Sequence, residues 1–142
     1  MDSDKKIVTA EEFRLVDEKG RSRAVITLRG GGEPALGFFG KDGRRRAIFG
    51  VRDDGTPAIG LYDKKGKERI KLVMDSDGSP AIRLSDEKGG NRVEVEVNSD
   101  GEPSIALCDG DGKKLAAIVV QKGRTASLSF YGKDGEIKAR IE

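Results

Sequence analysis

Residues 55–77 read GTPAIGLYDKKGKERIKLVMDSD, and laying the rest of the chain beneath them decides the fold. Copies of the unit fall at 9–31, 32–54, 55–77, 78–100, 101–123 and a shortened 124–142, with no gap between them, after a lead-in of residues 1–8. A fixed period over the whole length marks one supersecondary unit repeated in series, and 9–142 is read as a single β-repeat domain. The fifth place of the unit is Phe13, Leu36, Ile59, Ile82, Ile105 and Leu128, and the seventh is Leu15, Phe38, Leu61, Leu84, Leu107 and Phe130. The eighteenth is Ile26, Phe49, Leu72, Val95, Ile118 and Ile141, with small or branched apolar residues two places to either side. Apolar residues at every second place have the period of a strand, not of a helix.

The residues between these stretches are turn residues with a stated role. Asp17 to Gly20, Asp63 to Gly66, Asp86 to Gly89 and Asp109 to Gly112 follow the form Asp-x-x-Gly. An Asp capping a type I turn, then Gly in the left-handed conformation, makes a hairpin connection with a bulge. Between copies the turns are Asp53-Asp-Gly55, Asp75-Ser-Asp-Gly78 and Asn98-Ser-Asp-Gly101, and Pro34, Pro57, Pro80 and Pro103 follow where a strand begins. A proline at a strand's first residue removes a donor that the ladder does not need. The expected fold is therefore all-β: six two-stranded repeats forming an antiparallel meander of eleven or twelve strands, with Ile7 and Val8 as a partial extra strand. A meander with one apolar face must cover it by closing on itself, by stacking two layers or by subunit association. On the other face strand A carries small residues (Ala35 and Gly37, Ala58 and Gly60, Ser104 and Ala106, Ser127 and Ser129), which would let another layer approach. Strand B there carries Arg46, Arg69 and Arg92, and reads as solvated.

Composition narrows the function classes. Basic and acidic residues, 27 and 25, are mixed along the chain, so no broad field of one sign points to a nucleic-acid partner. There is no His, and the lone Cys108 cannot form an intrachain disulfide. No apolar run has the length of a membrane span and the polar start MDSDKKIVTAEEF has no leader-like core, so a cytoplasmic protein without a membrane partner is the default expectation.

Three groups could carry chemistry. The acidic turns supply closely spaced oxygens, as calcium loops do, but none is followed by the bidentate acid of a twelve-residue loop, and turns choose Asp and Gly in any case. No metal or other cofactor is expected. The run Arg44-Arg-Arg46 could meet a phosphate, although Arg46 only continues the arginine column of Arg23, Arg69 and Arg92. The eighth place of the unit (Val16, Phe39, Tyr62, Ser85, Cys108 and Tyr131) offers Phe39, Tyr62 and Tyr131 as a binding surface for a glycan or a protein, or as rings packed beneath a neighbouring subunit. Cys108, with no His to activate it, is not read as a nucleophile. The acids recur with the repeat, whereas a catalytic site breaks one, so no enzyme is expected.

The pattern Gly-x-Pro-x-Ile-x-Leu-x-Asp-x-x-Gly-x-x-Arg at Gly55 to Arg69 and Gly78 to Arg92 resembles that of uncharacterised bacterial proteins built from 23-residue Asp-Gly/Pro hairpin repeats, over 9–142. That resemblance implies a repeat protein and supplies no site. The function expected from the residues is a non-catalytic structural or assembly protein that forms a homo-oligomer. The alternative is a ligand-binding module on Phe39, Tyr62 and Tyr131, its ligand unknown.

Overall fold

A computed structural model describes residues 6–123 and 126–142; the first five residues and the first two of the sixth copy lie outside it. Each copy folds as one hairpin. In chain order the pairs are β1 (Glu12–Val16) with β2 (Ser22–Leu28), β3 (Pro34–Phe39) with β4 (Arg45–Val51), and β5 (Pro57–Tyr62) with β6 (Glu68–Met74). They continue as β7 (Pro80–Ser85) with β8 (Asn91–Val97), β9 (Pro103–Cys108) with β10 (Lys114–Val120), and β11 (Ala126–Tyr131) with β12 (Ile137–Ile141). The four prolines stand first in β3, β5, β7 and β9, where the sequence puts them.

The turns have the expected chemistry. In the third copy the Gly66 amide donates to the Asp63 carbonyl at 3.0 Å, and the Asp63 amide donates to the Lys67 carbonyl at 2.9 Å. Asp63 Oδ1 then accepts the amides of Lys65 and Lys67 at 2.8 and 3.0 Å, using donors that the tight turn leaves without backbone partners. Gly66 has φ +81°, a conformation in which any other L-residue crowds its own backbone. The register shifts between Leu61 and Tyr62, so a bulge follows the turn, as it does at the same place in the other hairpins within copies.

All strands join one antiparallel sheet in sequence order, β1 to β12. The 23-residue period keeps the columns in register across every strand. One continuous row runs Phe13, Ile26, Leu36, Phe49, Ile59, Leu72, Ile82, Val95, Ile105, Ile118, Leu128, Ile141. A parallel row runs Leu15, Ala24, Phe38, Ala47, Leu61, Ile70, Leu84, Val93, Leu107, Ala116, Phe130, Ala139.

Among the described residues each strand touches only its neighbours in sequence. The sheet is therefore open, with β1 and β12 at its edges, and closure of the array on itself does not occur. Among the described residues no second layer lies on either face. Ile7 and Val8 do not extend the sheet either: they lie outside any strand and are 79% and 75% exposed. No helix of the described residues is long and apolar enough to cross a membrane.

Candidate interaction face

The two faces of the sheet are covered in the reverse of the order that hydropathy suggests. The face bearing the large apolar rows is open to solvent: Phe13 is 46% exposed, Phe49 54%, Leu107 50% and Ile118 47%. No polar side chain interrupts the fifth, seventh, sixteenth, eighteenth or twentieth place of any copy, so this surface is aliphatic and aromatic from edge to edge. Between the third and fourth copies it dips into a groove of about 430 Å³ lined by Phe49, Ile59, Leu72, Met74, Ile82 and Val95.

The buried residues lie on the other face and are small. Ala35, Ala81, Ala106 and Ala117 are buried, as are Ser127 and Ser129. At Gly37, at Gly60 and at the Ala106 cluster, long neighbours on the same face lie over the small residues. A Cβ added at Gly37 would stand 3.2 Å from the Phe39 ring, and one added at Gly60 would meet the Tyr62 hydroxyl at 2.9 Å. Tyr62 donates to Glu68 Oε1 at 2.9 Å, and the Arg45 guanidinium sits 5.3 Å from the centre of its ring. Burial, and then Glu68, pushes the Tyr62 phenol above its ordinary pKa. Tyr131 packs on the buried cluster of Ala106, Cys108 and Ala117.

Phe39 and Tyr62 thus sit two strands apart, linked by Arg45, the register partner of Phe39. Tyr131 lies on β11, six strands beyond Tyr62, or about 29 Å at ~4.8 Å per strand. The three rings occupy one column but do not converge on one cleft. A shallow depression beside Phe39 is lined by Arg14, Arg21 and Lys41, yet Arg14 is paired with Glu12, and Arg21 with Asp17 at 2.8 Å.

The arginine column of strand B is not simply solvated. Arg69 Nε donates to the Ser85 carbonyl at 2.7 Å, and Arg92 Nε to the Cys108 carbonyl at 2.9 Å, in each case reaching from one copy to the bulge of the next. The same arginines approach the turn acids of their own copies, Asp63 at 3.5 Å and Asp86 at 3.4 Å. Arg44 repeats the device at the turn, donating to the Lys64 carbonyl at 3.2 Å, while Arg46 pairs with Asp42 at 2.8 Å. A column recurring every 23 residues beside a bulge that frees a carbonyl was the sequence signal for these ties between copies.

The turn carboxylates are occupied too. Asp63, Asp86 and Asp109 are held below the ordinary carboxylate range chiefly by the amides of Lys67, Gly90 and Lys113. Asp75 is lowered first by Arg83, which it meets at 2.7 Å. Among the described residues no three acidic or thiol side chains converge as a metal site would require. Cys108 is buried, and burial followed by the Glu94 charge raises its thiol, which suppresses the reactive thiolate.

Comparison with family models finds no match, and comparison with curated proteins finds no significant one. The repeat and its two faces are what the functional reading rests on.

Proposed function

We propose that the protein is a non-catalytic β-repeat assembly protein that self-associates by laying its apolar sheet face on the same face of a second copy. The observation that carries this reading is the open apolar face. A compact monomer of 15.3 kDa exposes about 7,100 Å² by size scaling, whereas this chain exposes 10309 Å². Part of that excess belongs to the extended residues before β1, and much of the rest is the face itself.

Half-exposed Leu, Ile and Phe side chains leave roughly 80 Å² each, so the face offers on the order of 1,400 Å² per copy and ~2,800 Å² per pair. Stable pairs bury about 1,200–2,000 Å², so a face-to-face pair has ample area. Two such sheets stack ~10 Å apart with inward side chains interdigitating, as in a β-sandwich. A surface of repeated aliphatic rows with no charge in them is complementary to itself, which is what a two-fold contact requires.

A catalytic role finds no support in the side chains: there is no His, the thiol is buried, and the acids serve recurring turns. The ligand-binding alternative on Phe39, Tyr62 and Tyr131 is the weaker reading, because two of the rings lie on glycines and the third is far from them. Light scattering at micromolar concentration tests the proposal. A mass of two chains is expected; a single-chain mass with retained strand content refutes it.

A further inference from the structure

The apolar face is one route to association, and the open edges are another. An edge strand presents unpaired backbone donors and acceptors, and a second copy could pair β12 with β1 and continue the meander. The periodic register says what such a junction would hold. Between copies, the seventeenth place of strand B faces the sixth of strand A, as Val25 faces Gly37 and Ile48 faces Gly60. The nineteenth faces the fourth, as Thr27 faces Ala35 and Val73 faces Ala81.

In every strand A from β3 to β11 the fourth place is Ala or Ser, and the sixth is Gly, Ala or Ser except for Arg83. Of the five fourth places flanked by strands, Ala35, Ala81 and Ser127 are buried at 7%, 5% and 5% exposed, and Ala58 and Ser104 are half-buried. β1 breaks both columns with Glu12 and Arg14, which pair with each other. At the far edge Arg140 and Glu142 occupy the seventeenth and nineteenth places and pair at 3.0 Å.

A copy docked in the continuing register would set Arg140 directly opposite Arg14, and Glu142 directly opposite Glu12. Directly opposed side chains stand about 5 Å apart while the compensating diagonals are ~7–8 Å apart, so the like-charge contacts dominate. Docking would also press a glutamate into a column that otherwise admits only Ala or Ser. The interior pair Lys71 and Arg83 is like-charged as well, but Arg83 there meets two unopposed acids, Asp75 and Glu94, each at 2.7 Å.

We infer that Glu12 and Arg14 hold the first edge of the sheet closed to a second copy, so that assembly stops at a face-to-face pair and does not run on edge to edge. This rests on the self-association proposed above for the pair, but the edge can be tested apart from it. The charge-swapped variant Glu12→Lys with Arg14→Glu keeps net charge, and it sets opposite charges across the junction. Its two positions are 33% and 58% exposed in the side chain, so the hairpin itself is not disturbed. A second variant, Glu12→Ala with Arg14→Gly, restores the interior columns and guards against misreading a folding defect.

Sedimentation velocity over a hundredfold range of concentration reads the result, with circular dichroism checking strand content. The parent is expected to hold one mass, and the swapped variant to form a ladder of larger species that retreats at ~1 M salt, where the screening length is about 3 Å. A parent that already forms a concentration-dependent ladder overturns the inference. So does a swapped variant indistinguishable from the parent at low salt. A parent that stays a monomer refutes the face-to-face reading alone; growth of the swapped variant from monomers then still upholds the closed edge.

Discussion

The two faces of one sheet, built from the same strands, end in opposite states. The face with Phe49, Leu72 and Ile118 is open, and the face with Ala35, Gly60 and Ser129 is closed. In a single layer a side chain can be covered only by neighbours on its own face. Leu, Ile and Phe stand up from adjacent strands and shield one another's flanks, leaving their ends in water until another sheet arrives. Arg, Glu and Tyr can lie sideways, and a Gly or Ala beneath gives them room. Burial in an open layer therefore follows which side chains can lie flat, and apolar character decides what the next layer will be.

The sharpest way to break this contrast is to charge the open face. Phe49→Asp combined with Leu72→Asp places carboxylates in the central groove, where they cost little in a lone sheet because both side chains already meet water. Buried against a second copy, each loses a side chain worth about 1.5–3 kcal/mol and adds an unpaired charge. The expected outcome is loss of the pair by more than a thousandfold in affinity, read as a single-chain mass at concentrations where the parent is paired. The parent's melting temperature should also rise with protein concentration, since the pair stabilises the folded chain by mass action. A concentration-independent melting temperature in both proteins would show that nothing covers the face.

Acid acts on the turns instead. The lowered pKa values of Asp63, Asp86 and Asp109 mean that the folded chain holds their protons less tightly than the unfolded chain does. Their contribution is complete above the ordinary carboxylate range and is lost as pH falls through the lower folded values. Stability should be flat from neutral pH down to about 5 and decline below about 4. Urea midpoints measured across that range check it, and Asp63→Asn should flatten part of the fall. A midpoint that drops between pH 7 and 5 would contradict this assignment.

A smaller effect is expected where the closed face is overfilled. Gly60→Val would drive a branched side chain into the Tyr62 ring and Glu68, the latter 2.5 Å from an added Cβ. Overpacking of this kind costs about 1–3 kcal/mol. Chemical denaturation should show that loss while the mass in solution stays at two chains, separating the stability of the layer from its pairing.

Much of this was legible in the sequence because a repeat averages its own signal. The period, the hairpin turns, the leading prolines and the apolar rows all follow from columns that each recur in several copies. What the columns did not carry was lateral reach. That Tyr62 lies back over Gly60, or that Arg69 crosses to the Ser85 carbonyl, depends on side-chain direction across a twisted layer, not on residue type alone. The small residues of strand A read as space for another layer, and at Gly37 and Gly60 part of that space is filled by the chain's own Phe39, Tyr62 and Glu68. Closure was out of reach for a related reason, since strand number and pattern do not set the curl that brings β1 to β12.

An effect of the same size separates the two faces most directly. If the aromatic column were the subunit contact, Tyr62→Ser with Tyr131→Ser would dissociate the protein. In the structure those rings cover their own sheet, Tyr62 over Gly60 and Tyr131 over the Ala106, Cys108 and Ala117 cluster, and they point away from the open apolar rows. Removing them takes away a hydrogen bond to Glu68 and part of the cover of two buried sites, a cost of about 1–3 kcal/mol in chain stability together. The mass in solution should not change. A single-chain mass for this variant, with strand content intact, would move the contact to the opposite face of the sheet and leave the apolar rows without a partner.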